Sequence, residues 1–323
     1  MEENAIASLP QDAVCRVAMI GAGGMAREHL RAFADIPQVS IVGIMSRTRS
    51  KAEALAQEFN IPAVTDSVEA LAALQADLVV ITVSANQVHK VVQACCAWPW
   101  TILTEKPVGL NLQQSEETLE TVRKTGAQVY VALNRRFYSS VHKMKENLAH
   151  CTGPRFIEVF DQQEPEKLRK ILGKADEIEL MFGNSIHTID FFSHLGRGSV
   201  TSVTPILPWN SSVPQAVCAA VTFSSGDSGI YHGLWNVPGP WAVSVTTREE
   251  RWELRPLESA RVQKAGSRTL EEVDLGDLDK KFKPGLRAQA EEAVKAALGL
   301  RHNCVSLENA HGTMRIIDAI YKH

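Results

Sequence analysis

The sequence predicts two domains. The first is an α/β domain built on a doubly wound parallel sheet. The second is an α+β domain with an open, mostly antiparallel sheet. Three observations point there. Across residues 13–134, short apolar runs alternate with segments of helical period. From residue 135 onward, several strand-like runs follow one another with turn residues between them. A glycine-rich turn, Gly21-Ala22-Gly23-Gly24, joins the first apolar run to the first helical segment.

In the first domain, strands are expected at residues 16–20, 39–45, 77–83, 101–104 and 128–132. These runs are apolar throughout rather than alternating, as in strands covered on both faces. Helices are expected between them at 25–34, 50–59, 86–97 and 112–124. Residues 1–12 read as a tail.

The second domain starts with a strand at 155–160, a charged helix-tolerant stretch at 164–179 and a helix at 185–195. Strands then follow at 200–206, 216–223, 229–235, 242–246 and 251–255, with Pro208, Gly226, Pro238 and Gly239 in the connections. Residues 265–285 are charged and turn-rich, and read as an exposed loop. Two helices close the chain. Leu286, Ala290, Val294 and Leu298 form one apolar face ahead of Gly299. Leu307, Ala310, Met314, Ile317 and Tyr321 recur at spacings of three and four.

Composition excludes several partners. A length of 323 residues suits about two domains. A net charge of −3 gives no reason to expect nucleic acid or an anionic membrane. The longest apolar stretch, 78–83, is too short to span a bilayer, and no signal-peptide pattern opens the chain. The six cysteines are dispersed, without a C-x-x-C pair or histidines at zinc-ligand spacing. Buried thiols in a cytoplasmic protein without a metal are the expectation.

Gly21-Ala22-Gly23-Gly24-Met25-Ala26 fits G-x-G-x-x-A. Gly21 permits the tight turn, Gly23 lets the backbone approach a pyrophosphate, and Ala26 lets helix and strand pack closely. The helix start at Gly24 and Met25 offers N–H groups to the phosphates. At the end of the second strand, where NAD sites place an acidic residue, stands Ser46-Arg47-Thr48-Arg49-Ser50-Lys51. No carboxylate repels a 2′-phosphate there, while a hydroxyl and cations can hold one. NADP is therefore expected, with NAD as the alternative. Glu105-Lys106-Pro107 follows the fourth strand. A charged pair is poor core material, but at the carboxyl end of a parallel strand it opens onto a ligand crevice. The proline stiffens the exit.

In this order, these features resemble the glucose–fructose oxidoreductase/inositol dehydrogenase (Gfo/Idh/MocA) family across nearly the whole chain. The resemblance is carried by the G-x-G-x-x-A turn, Ser84-Ala85-Asn86-Gln87-Val88-His89, Glu105-Lys106-Pro107 and Arg136-Phe137. It continues through Gly153-Pro154, His187-Thr188-Ile189-Asp190 and Ser306-Leu307-Glu308-Asn309-Ala310. It implies a Rossmann domain at 13–134 and a substrate and oligomerisation domain at 135–323. It places Lys106 beside the nicotinamide and the substrate hydroxyl, and makes His187 the proton acceptor. Ser84, Asn86, His89 and Glu105 are then expected near the cofactor. Arg136, Asn184 and Asp190 are candidate substrate contacts, with an ion pair between the domains as the other reading of Arg136. One position departs from the pattern. Where the family carries an aspartate four residues before the histidine, this chain has Gly183, and Asn184 is the nearest polar substitute.

The implied function is an NAD(P)-dependent oxidoreductase. It would transfer a hydride between nicotinamide and a carbinol or carbonyl carbon of a sugar, sugar nucleotide or polyol. Oxidising an alcohol removes a proton from oxygen as well as a hydride from carbon. A lysine at its ordinary pKa is a donor that polarises the oxygen, and a histidine titrates where a proton shuttle needs it. The alternative is a non-catalytic dinucleotide-binding regulator of the same fold. Gly183 favours that alternative; Lys106 and His187 oppose it. A homo-oligomer, dimer or tetramer, is expected. Lys167, Arg169, Lys170 and Lys174 read as a solvated face or, more sharply, as a site for a nucleotide-sugar diphosphate. His29, His142, His194, His232 and His311 form no metal pattern.

Overall fold

The computed structural model describes residues 9–172, 177–213 and 215–321. The expected tail over residues 1–8 and the cation Lys174 lie outside them. The chain divides into two units. One holds the described residues up to Gly109 with Gln113–Asn134 and Lys280–Glu308. The other holds Leu110–Leu112, Arg135–Asp279 and the described residues from Asn309 onward. Residues 280–308 thus group with the first unit rather than with the second domain, where the sequence division puts them.

The first unit alternates strand and helix: β1 (Cys15–Ile20), α1 (Gly24–Ala34), β2 (Val39–Met45), α2 (Arg49–Phe59), β3 (Val64–Thr65), α3 (Val68–Ala72), β4 (Leu78–Ile81), α4 (Ala85–Cys95), β5 (Thr101–Thr104), α5 (Leu112–Thr125) and β6 (Gln128–Val131). The strand order is β3-β2-β1-β4-β5-β6, and every pairing is parallel. That order reverses direction between β1 and β4, so the crevice beyond Ile20 and Ile81 is the expected ligand position. β4 and β5 are buried at every residue, as runs covered on both faces should be. The two short elements β3 and α3 have no counterpart in the sequence reading, because two and five residues do not establish a period.

A single apolar core joins Val17, Met19, Leu78, Val80 and Leu103 of the sheet to Leu30 and Phe33 of α1. Leu286, Ala290, Ala293 and Val294 enter the same core from a late helix. This burial is what places residues 280–308 in the first unit. Each fully buried aliphatic or aromatic side chain contributes about 1.5–3 kcal/mol.

The second unit contains α6 (Ser139–Leu148), β7 (Phe156–Gln163), α7 (Pro165–Leu172), α8 (Glu177–Gly183), α9 (Ile186–Leu195), β8 (Val200–Leu207), β9 (Ala216–Phe223), β10 (Ser228–Trp235), β11 (Ala242–Thr246), β12 (Glu250–Leu254), β13 (Arg261–Lys264) and β14 (Glu271–Glu272). The chain ends through α10 (Leu278–Lys281), α11 (Leu286–Ala297), the helix that joins the first unit's core, and α12 (Leu307–Tyr321). The eight strands form one sheet, β14-β13-β12-β11-β7-β10-β9-β8, antiparallel except for the β7–β10 pair. Burial alternates along β7 and β10, so one face is covered and the other open. The stretch 265–285, expected as loop, carries β14 and α10, both too short to leave a pattern. α9 packs on the covered face, where the missing Cβ of Gly229 admits Phe192.

All six cysteines are free, with Cys15, Cys95 and Cys96 buried. Burial pushes the Cys15 and Cys95 thiols up to about 12, so they are inert structural groups. No described helix is long and apolar enough to cross a membrane.

Candidate active site

β1 ends at Ile20, and the chain turns into α1 through Gly21 at φ +113. A Cβ there would stand 2.6 Å from Thr82 Oγ1 and 2.7 Å from the Thr82 carbonyl oxygen, so this position admits only glycine. Gly23 and Gly24 differ. A Cβ on either meets nothing within 4 Å, leaving open space at the amino end of α1, where backbone N–H groups lack helical partners. This is the cradle a pyrophosphate needs.

A cavity of about 450 Å³ adjoins the turn. Gly21, Gly23, Ser46, Arg47 and Ser84, all expected at the cofactor, line it. Lys51, Gln87 and Lys90 line it too, and among the described residues no carboxylate does. In the sequence reading Lys90 has no role and Gln87 only a place in the Ser84–His89 motif. Their spacing on α4, continued by Val91 and Ala94, is the signal that would have marked one helix face on the cavity. Arg49 turns away to pair with Glu53 at 2.8 Å. Gly24, Met25, Asn86 and His89 do not line the cavity. Asn86 instead accepts a hydrogen bond from the Ser84 hydroxyl at 2.8 Å, and Met25 Sδ lies 3.5 Å from Lys283 Nζ. Burial and then the neighbouring Lys90 lower the His89 pKa.

Glu105 is held at three points. Its N–H donates to the Ile81 carbonyl at 2.8 Å, and its own carbonyl accepts from Thr104 Oγ1 at 3.3 Å. Its carboxylate meets His29 Nε2 at 2.9 Å. Burial disfavours the charge, but His29 and the Lys106 ammonium outweigh it and hold the carboxyl below its ordinary range. His29 has no role in the sequence reading beyond its place among histidines without a metal pattern. It lies on the buried stripe Ala26, His29, Leu30, Phe33 of α1, and a histidine there calls for a polar partner. Lys106 follows in the first unit, its peptide to Pro107 cis.

In the second unit, His187 occupies the first turn of α9 and is 8 % exposed. Three residues on, Asp190 receives Arg136 in a two-pronged pair, Nε to Oδ2 at 2.5 Å and a terminal nitrogen to Oδ1 at 2.6 Å. Thr313 Oγ1 donates to the same carboxylate at 2.8 Å. Both partners of the ion pair lie within this unit, so the pair is not one between domains. Asn184 ends up elsewhere, lining a second cavity of about 400 Å³ with Gln162, Gln163, Glu164, Lys167 and Trp241. Its amide donates to Gln163 Oε1 at 2.8 Å, while Gln163 Nε2 donates to the buried Asp161 at 2.7 Å. The Arg135 guanidinium stacks on Trp241, 3.8 Å from the ring centre. Lys167 is exposed and pairs with Glu164 at 2.8 Å. Among the described residues, no group of three or more histidine, cysteine or acidic side chains is arranged to hold a metal ion.

Comparison with known proteins agrees with this geometry. Residues 15–133 match the Gfo/Idh/MocA model, described as an oxidoreductase family with an NAD-binding Rossmann fold. The trans-1,2-dihydrobenzene-1,2-diol dehydrogenase of Mus musculus is 29% identical over 140 residues, 42% of this chain and 42% of that protein. The chain spans about half the length of the curated relatives it matches. Among solved structures, the UDP-N-acetylglucosamine 3-dehydrogenase of Acidithiobacillus ferrooxidans superposes with a TM-score of 0.77 at 18% identity, covering 94% of this chain and 96% of that one. An oxidoreductase of Agrobacterium radiobacter in complex with NAD+, L-tartaric acid and magnesium superposes at 0.77 and 15% identity, covering 95% of each chain. At such identities the two structures establish a shared two-domain fold. The glycine turn and the cavity beside it fall within the match over residues 15–133, so this amino-terminal stretch is similar to the NAD-binding Rossmann domain of the Gfo/Idh/MocA oxidoreductase family.

Proposed function

We propose that the protein is an NADP-dependent oxidoreductase acting on a hydroxyl-bearing carbon of a sugar, sugar nucleotide or polyol. The observation that carries this reading is the cavity beside the glycine turn, lined by Ser46, Arg47, Lys51 and Lys90 and, among the described residues, by no carboxylate. Three cations suit the 2′-phosphate of NADP, and an acidic residue, which would favour the two free hydroxyls of NAD, is missing. NAD is the alternative nucleotide. Bound NADP supplies or accepts the hydride. Lys106 donates a hydrogen bond to the reacting oxygen, and His187 takes up or returns its proton. Glu105 fixes the residue from which Lys106 extends. The amides of Gln162, Gln163 and Asn184 and the ring of Trp241 suit a hydroxyl-rich ligand. The diol and the nucleotide sugar named in the relatives' activities support the same substrate class. A homo-oligomer belongs to this reading, with the open face of the second unit's sheet as its contact.

The test is turnover across a panel of sugars, polyols and nucleotide sugars, followed at the nicotinamide absorbance band. Lys106→Met should still bind NADPH and lose about 10²–10⁴ in kcat. Near-normal turnover in that variant rejects the role of Lys106. Gly183 keeps the regulator reading in view; tight NADPH binding with no turnover across the panel would select it.

A further inference from the structure

We propose that His29 is a positioning residue for Lys106, acting through Glu105. The inference rests on the role given to Lys106 above. α1 begins at the glycine turn and carries His29 on its buried face, where the residue is 1 % exposed. Its Nε2 lies 2.9 Å from Glu105 Oε1, and its Nδ1 has no hydrogen-bond partner among the described residues. The ring stacks on Phe33, with centroids 6.5 Å apart at an interplanar angle of 27°. The ring therefore directs its polar edge at one carboxylate.

That carboxylate belongs to a residue whose N–H and carbonyl are already bonded to Ile81 and Thr104. Without His29, the main chain of Glu105 would stay anchored just beyond β5 while its side chain lost its ring donor. A largely buried carboxylate in that position must rotate outward or take up a proton. Either change alters the charge beside Lys106. The helix that offers its amino end to the cofactor thereby also sets the electrostatic surroundings of the ammonium. A purely structural histidine would stabilise the fold and leave Lys106 untouched.

The experiment reads Lys106 directly, in full-length protein labelled with [ε-¹³C]lysine. The signal is assigned by its loss in Lys106→Arg. Without cofactor, His29→Leu should displace the Lys106 signal, and His29→Gln, whose amide can donate to Glu105, should return it toward the wild-type position. An unmoved signal in His29→Leu overturns the proposal. So does a displacement that His29→Gln fails to reverse, since that marks a packing role. Should His29→Leu not fold, Glu105→Ala takes its place and must displace the same signal; an unmoved one again overturns the proposal. Adding NADP to the wild type tests the underlying reading separately. A Lys106 signal indifferent to NADP refutes its place beside the nicotinamide, while the cofactor-free comparison still decides the role of His29.

Discussion

Replacing Gly21 by alanine puts a methyl group where Thr82 already stands, 2.6 Å from its hydroxyl and 2.7 Å from its carbonyl oxygen. The hydroxyl can rotate, but the carbonyl belongs to the main chain and its N–H is bonded to Ile20. The φ of +113 adds strain that no L side chain avoids. Strain of about 1–3 kcal/mol and overpacking of about 1–3 kcal/mol give a loss of about 2–6 kcal/mol. Gly23, two residues on, behaves in the opposite way. Its φ of −93 and ψ of −172 are open to any residue, and a Cβ meets nothing within 4 Å. Gly23→Ala should therefore cost under about 1 kcal/mol in stability. Its methyl group occupies the space left for the pyrophosphate, so NADPH binding should weaken by at least about tenfold, or 1.4 kcal/mol. Denaturant unfolding without cofactor and fluorescence titration with NADPH separate the two effects. Gly21→Ala unfolding at the wild-type midpoint, or Gly23→Ala binding NADPH as the wild type does, would refute the division of labour.

Asp190→Ala leaves the Arg136 guanidinium, 11% exposed, without its carboxylate, and should cost about 3–5 kcal/mol in denaturant unfolding. A loss below about 1 kcal/mol would show the pair to be dispensable. Asp227 accepts from the Arg155 and Arg197 main-chain N–H groups and from the Arg197 guanidinium. Burial raises its pKa, yet these donors outweigh burial and bring it from 3.8 down to about 2. The folded value lies below the unfolded one, so its contribution of about 2 kcal/mol is present above about pH 4 and fades as pH falls toward 2. Asp227→Asn should flatten that part of the acid-unfolding profile; an unchanged profile contradicts the assignment. In the cofactor cavity, Arg47→Ala and Lys90→Ala should each reduce the preference for NADPH over NADH, measured as a ratio of Kd values. An unchanged ratio removes that residue from 2′-phosphate recognition.

Much of this was legible because the relevant signals are local. The parallel strands are apolar runs of four to seven residues, and the cofactor turn is six consecutive residues whose glycines have separate steric reasons. The pairing of Arg136 with Asp190 was not legible. It joins residues 54 positions apart, and each alone reads equally well as a substrate contact. His29 was hidden for a related reason. Its partner is 76 residues away, and only the fold brings the face of α1 to the end of β5. The return of α11 to the first unit was missed because its apolar face shows that it packs, not on what.

The glycine at position 183 acquires a physical consequence once hydrogen-bond directions are followed outward from Asp161. That carboxylate is fully buried and accepts from the Tyr231 hydroxyl at 2.7 Å and from Gln163 Nε2 at 2.7 Å. Burial raises the Asp161 pKa against the hydrogen bonds from Ser185, Tyr231 and Gln163; in its ionised form the carboxylate can only accept, and the NH₂ group of Gln163 then faces it. Gln163 Oε1 then faces Asn184 and can only accept, which commits Asn184 Nδ2 to Gln163 at 2.8 Å. The amide of Asn184 is thereby oriented, and Oδ1 is the end not engaged by Gln163. Asn184 can supply an acceptor as an aspartate would, but no negative charge to stabilise a protonated imidazole. Asn184→Asp would introduce that charge while setting a carboxylate against Gln163 Oε1, two acceptors face to face. The substitution should therefore destabilise the second unit by about 1–3 kcal/mol unless the introduced carboxyl takes up a proton and donates it to Gln163 Oε1. A stability gain in Asn184→Asp would mean that the direction of the Asp161–Gln163–Asn184 chain is reversed.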